Sequence, residues 1–182
     1  SILSAVSQNW SEGEDVTELL GIKKYEQPIS LDMGGDVKGE FPSTLPKPNE
    51  ERIQNLLLVI DGWRNITFVA TEKIDGTSST YIFEKENGFN VCSKNIMLNE
   101  TSNNLYWYIA RKLKIEENMN HYYGLYGFDF AIQGEIAGIG IQDNCLKLKE
   151  KDFYLFNAFN IKEQRYFDVK ELIHLSEILG VN

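Results

Sequence analysis

The tetrapeptide Lys73-Ile74-Asp75-Gly76 sets an amine, a carboxylate and a glycine within one short stretch. A lysine amine attacks only when deprotonated, and partial burial or a neighbouring cation shifts its pKa readily. A glycine just downstream lets backbone groups come close to a bound molecule. The chemistry suited to this spacing is covalent: an amine bonding to an electrophile held against a turn. Such a tetrapeptide arises by chance in only about a few per cent of chains of this length. The same letters also suit an ordinary strand-to-turn transition, with Asp and Gly supplying the turn.

Other reactive centres lack their signatures. There is no G-x-x-x-x-G-K-[ST] loop and no G-x-G-x-x-G after a strand, and Gly138-Ile139-Gly140 is too short to stand for either. His121 and His174 have no nucleophile motif around them and read as structural or surface residues. Cys92 and Cys145 share no C-x-x-C spacing, so zinc is not expected and a disulfide framework is excluded by count. Two free thiols fit a reducing compartment, cytoplasmic or otherwise intracellular. The densest apolar run, Leu56 to Ile60, is far too short to span a bilayer, so no membrane partner is expected.

A length of 182 residues, with 42% hydrophobic and 25% charged, suits one ordinary domain. The net charge of −9 weighs against nucleic acid as the main partner, because phosphate contacts usually need a basic surface. The first residue is Ser1, not Met, so a processed chain or an internal piece is expected.

The elements that must position Lys73 follow from periodicity and punctuation. Residues 1 to about 48 read as irregular, broken by Gly34-Gly35, Pro42, Pro46 and Pro48. A helix is expected next, capped by Asn49, with Glu50 and Glu51 in its first turn. Its apolar face would be Ile53, Leu56, Leu57 and Ile60, and Gly62 would end it. Ile66 to Lys73 reads as a strand, which puts Lys73 at a strand end before a turn containing Gly76. Ser79 to Lys85 and Phe89 to Ser93 form a hairpin, with Asn87-Gly88 as a type I′ signal. A second helix spans Asn103 to Ile115, and Tyr122 to Phe128 leads into a strand from Phe130 to Ala137. After the Gly138–Asn144 loop come a strand, Phe153 to Ile161, and a last helix, Val169 to Leu179, ended by Gly180. The fold class is α+β.

Lys73 to Gly76 resembles motif I of the covalent nucleotidyltransferases, which include DNA ligases, RNA ligases and mRNA capping enzymes. Val91-Cys92-Ser93-Lys94-Asn95 resembles the segment after motif I that contacts the ribose or the RNA end. Gln133-Gly134-Glu135-Ile136 resembles motif III, and Phe153-Tyr154-Leu155-Phe156 resembles motif IIIa. Phe41-Pro42, Leu45-Pro46-Lys47 and Glu50 to Asn55 look like the lead-in of RNA ligases with an oligonucleotide-binding (OB) domain ahead of the catalytic one. The run from Gly134 to Lys149 looks like that branch too, and Ser11 to Tyr25 resembles the end of its OB domain. The implied organisation is a linker and OB end over 1–40 and an adenylyltransferase domain over 41–182.

The resemblance implies a nucleotidyltransferase fold, antiparallel sheets flanked by helices around an ATP cleft. Lys73 would attack the α-phosphate of ATP and carry AMP, which then passes to an RNA 5′-phosphate before the 3′-hydroxyl attacks. Glu72 and Ile74 would present backbone groups to adenine, and Asp75 and Gly76 complete the nucleotide-binding motif. Glu135 would contact the ribose or a metal-bound water, with Mg²⁺ or Mn²⁺ as the metal. Phe156 would stack on the purine, although strand alternation leaves Phe153 or Tyr154 open. Arg52 and Lys94 would contact phosphate or ribose, with RNA, or a nick containing DNA, as the partner.

Departures from the family pattern carry other expectations. Lys94 stands where this branch more often has arginine, and Asn157 where an aspartate usually follows motif IIIa. The E-G-x-V and K-x-K motifs are not found after Asn160; Lys112-Leu113-Lys114 and Lys147-Leu148-Lys149 match the second in letters only. A fragment of a longer ligase is therefore expected, competent at best for the first step. The alternatives are a catalytically silent nucleotide- or RNA-binding module, and a DNA ligase or capping guanylyltransferase.

Overall fold

Burial on both faces makes the long strands the frame of this protein, whose computed structural model describes residues 11, 14–22 and 36–182. The chain divides into two units, Ser1–Gly34 and Gly35–Asn182. In the first, the described residues form a turn over 17–21, closed by Leu20 N–H donating to the Val16 carbonyl at 2.9 Å. The Gly34-Gly35 break, and residues 12–13 and 23–25 of the segment that resembles an OB-domain end, lie outside the described residues.

The second unit is a seven-stranded sheet flanked by helices. Its strands are β1 (Val37–Glu40), β2 (Thr77–Glu84), β3 (Gly88–Ser93), β4 (Ile96–Leu98), β5 (Phe130–Ala137), β6 (Asp152–Asn160) and β7 (Arg165–Tyr166), in the order β1-β4-β3-β2-β5-β6-β7. Every neighbouring pair is antiparallel. The helices are α1 (Leu57–Ile60), α2 (Leu105–Lys112), α3 (Ile115–Tyr126) and α4 (Val169–Leu179). The class is α+β, as the sequence implies, with one sheet carrying all the described strands.

Register sorts the side chains by face, since directly paired residues share a side. One face carries Tyr81, Phe83, Phe130 and Phe153. There Tyr81 donates its hydroxyl to the Tyr106 carbonyl of α2 at 3.2 Å, Phe89 meets Trp107 edge-on, and Tyr122 of α3 lies 5.0 Å from the Phe130 ring. The opposite face carries Ile82, Cys92, Ala131 and Phe159, covered by Phe41 and Leu45 from the segment after β1. Beyond that cover, the same face continues to Thr80, Gln133 and Glu135.

Several expected elements differ. No helix begins at Asn49: a 3-10 turn starts at Ile53 and runs into the four-residue α1. Ile53 and Leu57 are exposed and Leu56 and Ile60 only half-buried, so among the described residues the apolar stripe is poorly packed, and a short helix without packing is marginal. Gly62 lies inside a further 3-10 turn, Asp61–Trp63, and does not end a helix. Residues 66–73 form no strand, because a strand needs a hydrogen-bonded neighbour and this segment has none among the described residues. The β2–β3 connection is a three-residue loop over 85–87 with Gly88 at φ +70°, not a type I′ turn, since Asn87 is not left-handed. The second helix stops earlier than expected. Lys114 at φ +53° separates α2 from α3, which continues through the aromatic stretch to Tyr126. The short strands β1 and β4 carry no sequence signal of their own.

Candidate active site

Gly76 is where the motif meets the sheet. A Cβ built on it would lie 2.2 Å from the Ile136 carbonyl oxygen and 3.1 Å from Cγ of Glu135. Only a glycine allows this approach, which holds the segment leading into β2 against the end of β5. Lys73 is therefore placed by the Gly76–β5 contact and not, as the sequence suggests, by a strand end.

Glu135 gathers the charges around it. Its carboxyl sits above the ordinary glutamate range chiefly because burial disfavours the anion; the Lys73 ammonium and the Gly76 N–H oppose that shift, while Asp75 and Glu50 add to it. Lys73, Asp75, Gly76 and Glu135 thus share one electrostatic environment, and Glu50 joins it. The Lys73, Asp75 and Glu72 side chains face solvent, and Ile74 is half-buried. Lys94 lies exposed in the bend between β3 and β4. Because Ser93 pairs with Ser79, and Ser78 with Glu135, the register brings Lys94 to the same end of the sheet.

Motif III and motif IIIa meet across β5 and β6. A Cβ on Gly134 would lie 2.4 Å from the Phe153 ring and 2.5 Å from the Tyr154 carbonyl oxygen. The register shifts there: Gly134 pairs with Leu155 and Gln133 with Asn157, leaving Phe156 as the extra residue of a β-bulge. Phe156 is half-buried at that bulge. Phe153 is fully buried on the helix face, with its ring edge-on to Tyr81 at 5.1 Å, so it is removed as a stacking platform. Tyr154, paired with Glu135 and half-buried, stays on the open face.

A strap over 46–52 crosses this face. Gln133 donates Nε2–H to the Pro46 carbonyl at 2.8 Å, and Asn157 donates Nδ2–H to Glu50 Oε1 at 3.1 Å. Arg52 ends the strap in extended backbone, exposed, one residue before the 3-10 turn. Glu50 carried a signal only as an expected first-turn residue and as part of the Glu50 to Asn55 lead-in; nothing in either pointed to its partner, which lies 107 residues away. Lys112 Nζ donates to Glu150 at 3.0 Å and to the Lys151 carbonyl at 2.8 Å, so the first K-x-K match is a helix-flank contact. Among the described residues, no three His, Cys, Asp or Glu side chains converge to hold a metal.

The sequence pattern of the RNA ligase family matches residues 66–182. No curated protein matches the chain. Solved structures of an RNA ligase from Naegleria gruberi do. One variant with ATP and manganese superposes at a TM-score of 0.80 and 39% identity, covering 97% of this chain and 50% of that one. A variant with AMP and manganese gives 0.80 and 38%, covering 97% and 51%, and an apo variant 0.79 and 39%, covering 97% and 50%. The chain spans about half the length of these relatives.

Proposed function

The chain belongs to the RNA ligase family, and we propose that it carries the adenylyltransferase chemistry of an ATP-dependent RNA ligase, with Lys73 as the residue that takes up AMP. The observation that carries this reading is the Gly76 approach to β5, which sets the motif lysine beside the half-buried Glu135 carboxylate. Residues 41–182 are the adenylyltransferase domain in this reading, and 1–40 the linker and the end of an OB domain, the last residues of the linker adding β1 (Val37–Glu40) to the domain's sheet.

In the first step the Lys73 nitrogen forms a bond to the α-phosphorus of ATP as the α–β bridging P–O bond breaks. Pyrophosphate leaves with the electron pair, and the amine proton is released. An RNA 5′-phosphate oxygen then attacks the AMP phosphorus and the P–N bond returns its electrons to Lys73. Attack by a 3′-hydroxyl on the activated 5′-phosphate releases AMP. Little covalent work falls to other side chains, so alignment and charge stabilisation dominate. Glu72 and Ile74 present backbone groups to adenine, Asp75 and Gly76 shape the turn beneath the nucleotide, and Phe156 stacks on the purine from its bulge. Arg52 and Lys94 supply cationic contacts to phosphate or to the RNA end.

When bound, magnesium or manganese neutralises charge on the phosphates. Its fit here is a hydrated one: hard carboxylate oxygen is on offer from Glu135, and no protein cage converges among the described residues. Glu135 would hold such an ion through a water.

Intact mass after incubation with ATP and Mg²⁺ tests the reading, with Lys73→Ala alongside and GTP in place of ATP. A gain of one AMP, lost in Lys73→Ala and not matched by GMP, is expected. Label retained in the variant removes Lys73 as the nucleophile. GMP transfer in preference favours a capping enzyme, and no label, even in a chain extended to the relatives' length, favours a silent binding module.

A further inference from the structure

We infer that Asn157 and Glu50 act as a matched pair that positions the 46–52 strap, and Arg52 at its end, for attack by Lys73. The inference rests on the adenylyltransferase reading above. Asn157 stands where the resembling ligases usually place an aspartate, and the structure shows what the amide does. Its Nδ2–H donates to Glu50 Oε1 at 3.1 Å. An aspartate has no donor at neutral pH and would set two carboxylates against each other. The amide at 157 is therefore chemically fitted to the carboxylate at 50.

A second contact gives the pair its leverage. Gln133, the cross-strand partner of Asn157, donates to the Pro46 carbonyl at 2.8 Å, so neighbouring strands grip the strap at both ends of Pro46–Glu50. Arg52 follows two residues later in extended backbone, and its guanidinium makes no hydrogen bond or ion pair among the described residues. Among the described residues Arg52 is held through its backbone alone, its N–H donating to Glu51 Oε1 at 3.2 Å and its carbonyl accepting from Asn55 N–H at 2.9 Å, so the course of the strap sets where its guanidinium starts. The contact is solvent-exposed, so its weight falls on geometry at the site and little on global stability.

The test is a double-mutant cycle on single-turnover AMP transfer, with Asn157→Asp, Glu50→Gln and the two combined. Asn157→Asp is expected to lower the rate at subsaturating ATP about tenfold, the scale of losing a hydrogen bond to a charged group. The combined variant exchanges donor and acceptor and is expected to return to within about threefold of wild type, with thermal midpoints unchanged throughout. Backbone hydrogen exchange over residues 49–55 gives a readout free of activity: faster in Asn157→Asp, restored in the combined variant. Wild-type rate and exchange in Asn157→Asp, or a combined variant no better than that single, overturns the inference. A wild-type chain that takes no AMP sinks the adenylyltransferase reading instead, and the exchange arm still decides whether the pair holds the strap.

Discussion

Gly76→Ala probes the contact on which the site depends. The added methyl carbon would sit 2.2 Å from the Ile136 carbonyl oxygen and 2.9 Å from its carbon, both backbone atoms. Ile136 pairs with Thr77 in one ladder and Phe153 in the other, so the carbonyl cannot retreat without disturbing β2 and β6. The motif segment must move instead, by about 1 Å to reach ordinary contact, and a shift of that size can cost about 100-fold in rate. Overpacking of this kind costs about 1–3 kcal/mol of stability, which a domain with a typical reserve of about 5–15 kcal/mol survives. The assay is the single-turnover rate of AMP adduct formation by intact mass, with urea unfolding on the same samples. Gly124→Ala is the control: a Cβ there meets nothing within 4 Å, and alanine in a helix gains about 0.4–1 kcal/mol. A folded Gly76→Ala protein that labels at the wild-type rate would refute the claim that this close approach places Lys73.

The two cysteines should separate by reactivity. Cys92 is fully buried, and burial pushes its thiol up to about 12, whereas Cys145 is exposed. An alkylating reagent at neutral pH should modify one thiol in the native protein and both in denaturant; rapid double modification of the native chain contradicts the burial. Glu171 should show an acid-side stability effect. Hydrogen bonds from Arg165 and the Asp168 N–H hold its carboxyl down at about 2. A depressed carboxylate stabilises the fold above its ordinary value of about 4.3 and loses that contribution as pH falls toward the folded-state value. The advantage of wild type over Glu171→Gln in unfolding curves should be full above about pH 5 and vanish near pH 2; a difference independent of pH argues against the ion pair.

The legible elements are those whose signals are local. β5 and α4 fall on the residues expected, the first because its apolar run is buried throughout, the second because Asp168 and Glu171 close a capping box and Gly180 ends the helix at φ +65°. α3 was hidden because its aromatic residues and Gly124 have weak helix propensity, and packing on Phe83 and Phe130 overrides it. The first helix and the 66–73 strand failed for the opposite reason: their apolar letters are present, but Leu58, Ile66, Phe68 and Val69 are exposed, and among the described residues the Phe68 ring meets only the neighbouring Trp63. At the site, the tetrapeptide is readable as letters, yet the means of placing it is not. The Gly76–Ile136 approach, the bulge that frees Phe156 and the Asn157–Glu50 bond all join residues far apart in sequence.

The acidic balance of the chain, a net −9, loses much of its weight once the charges are placed. The salt bridges among the described residues engage Arg64, Arg111, Lys112 and Arg165; none engages Arg52, Lys73 or Lys94. The cations that consume carboxylates thus stabilise the periphery, and the three assigned to phosphate chemistry stay unengaged. Charges beyond about 8–10 Å are largely screened at physiological salt, so a polyphosphate bound beside Lys73 as proposed would respond to its neighbours and not to the total. Its neighbours are mixed in sign: Lys73, Asp75 and Glu50 all act on the half-buried Glu135. Those carboxylates repel a bare triphosphate, so positive charge that accompanies the nucleotide matters more here than the protein's own balance. An acidic chain and a nucleotidyl-transfer site are therefore compatible on local grounds.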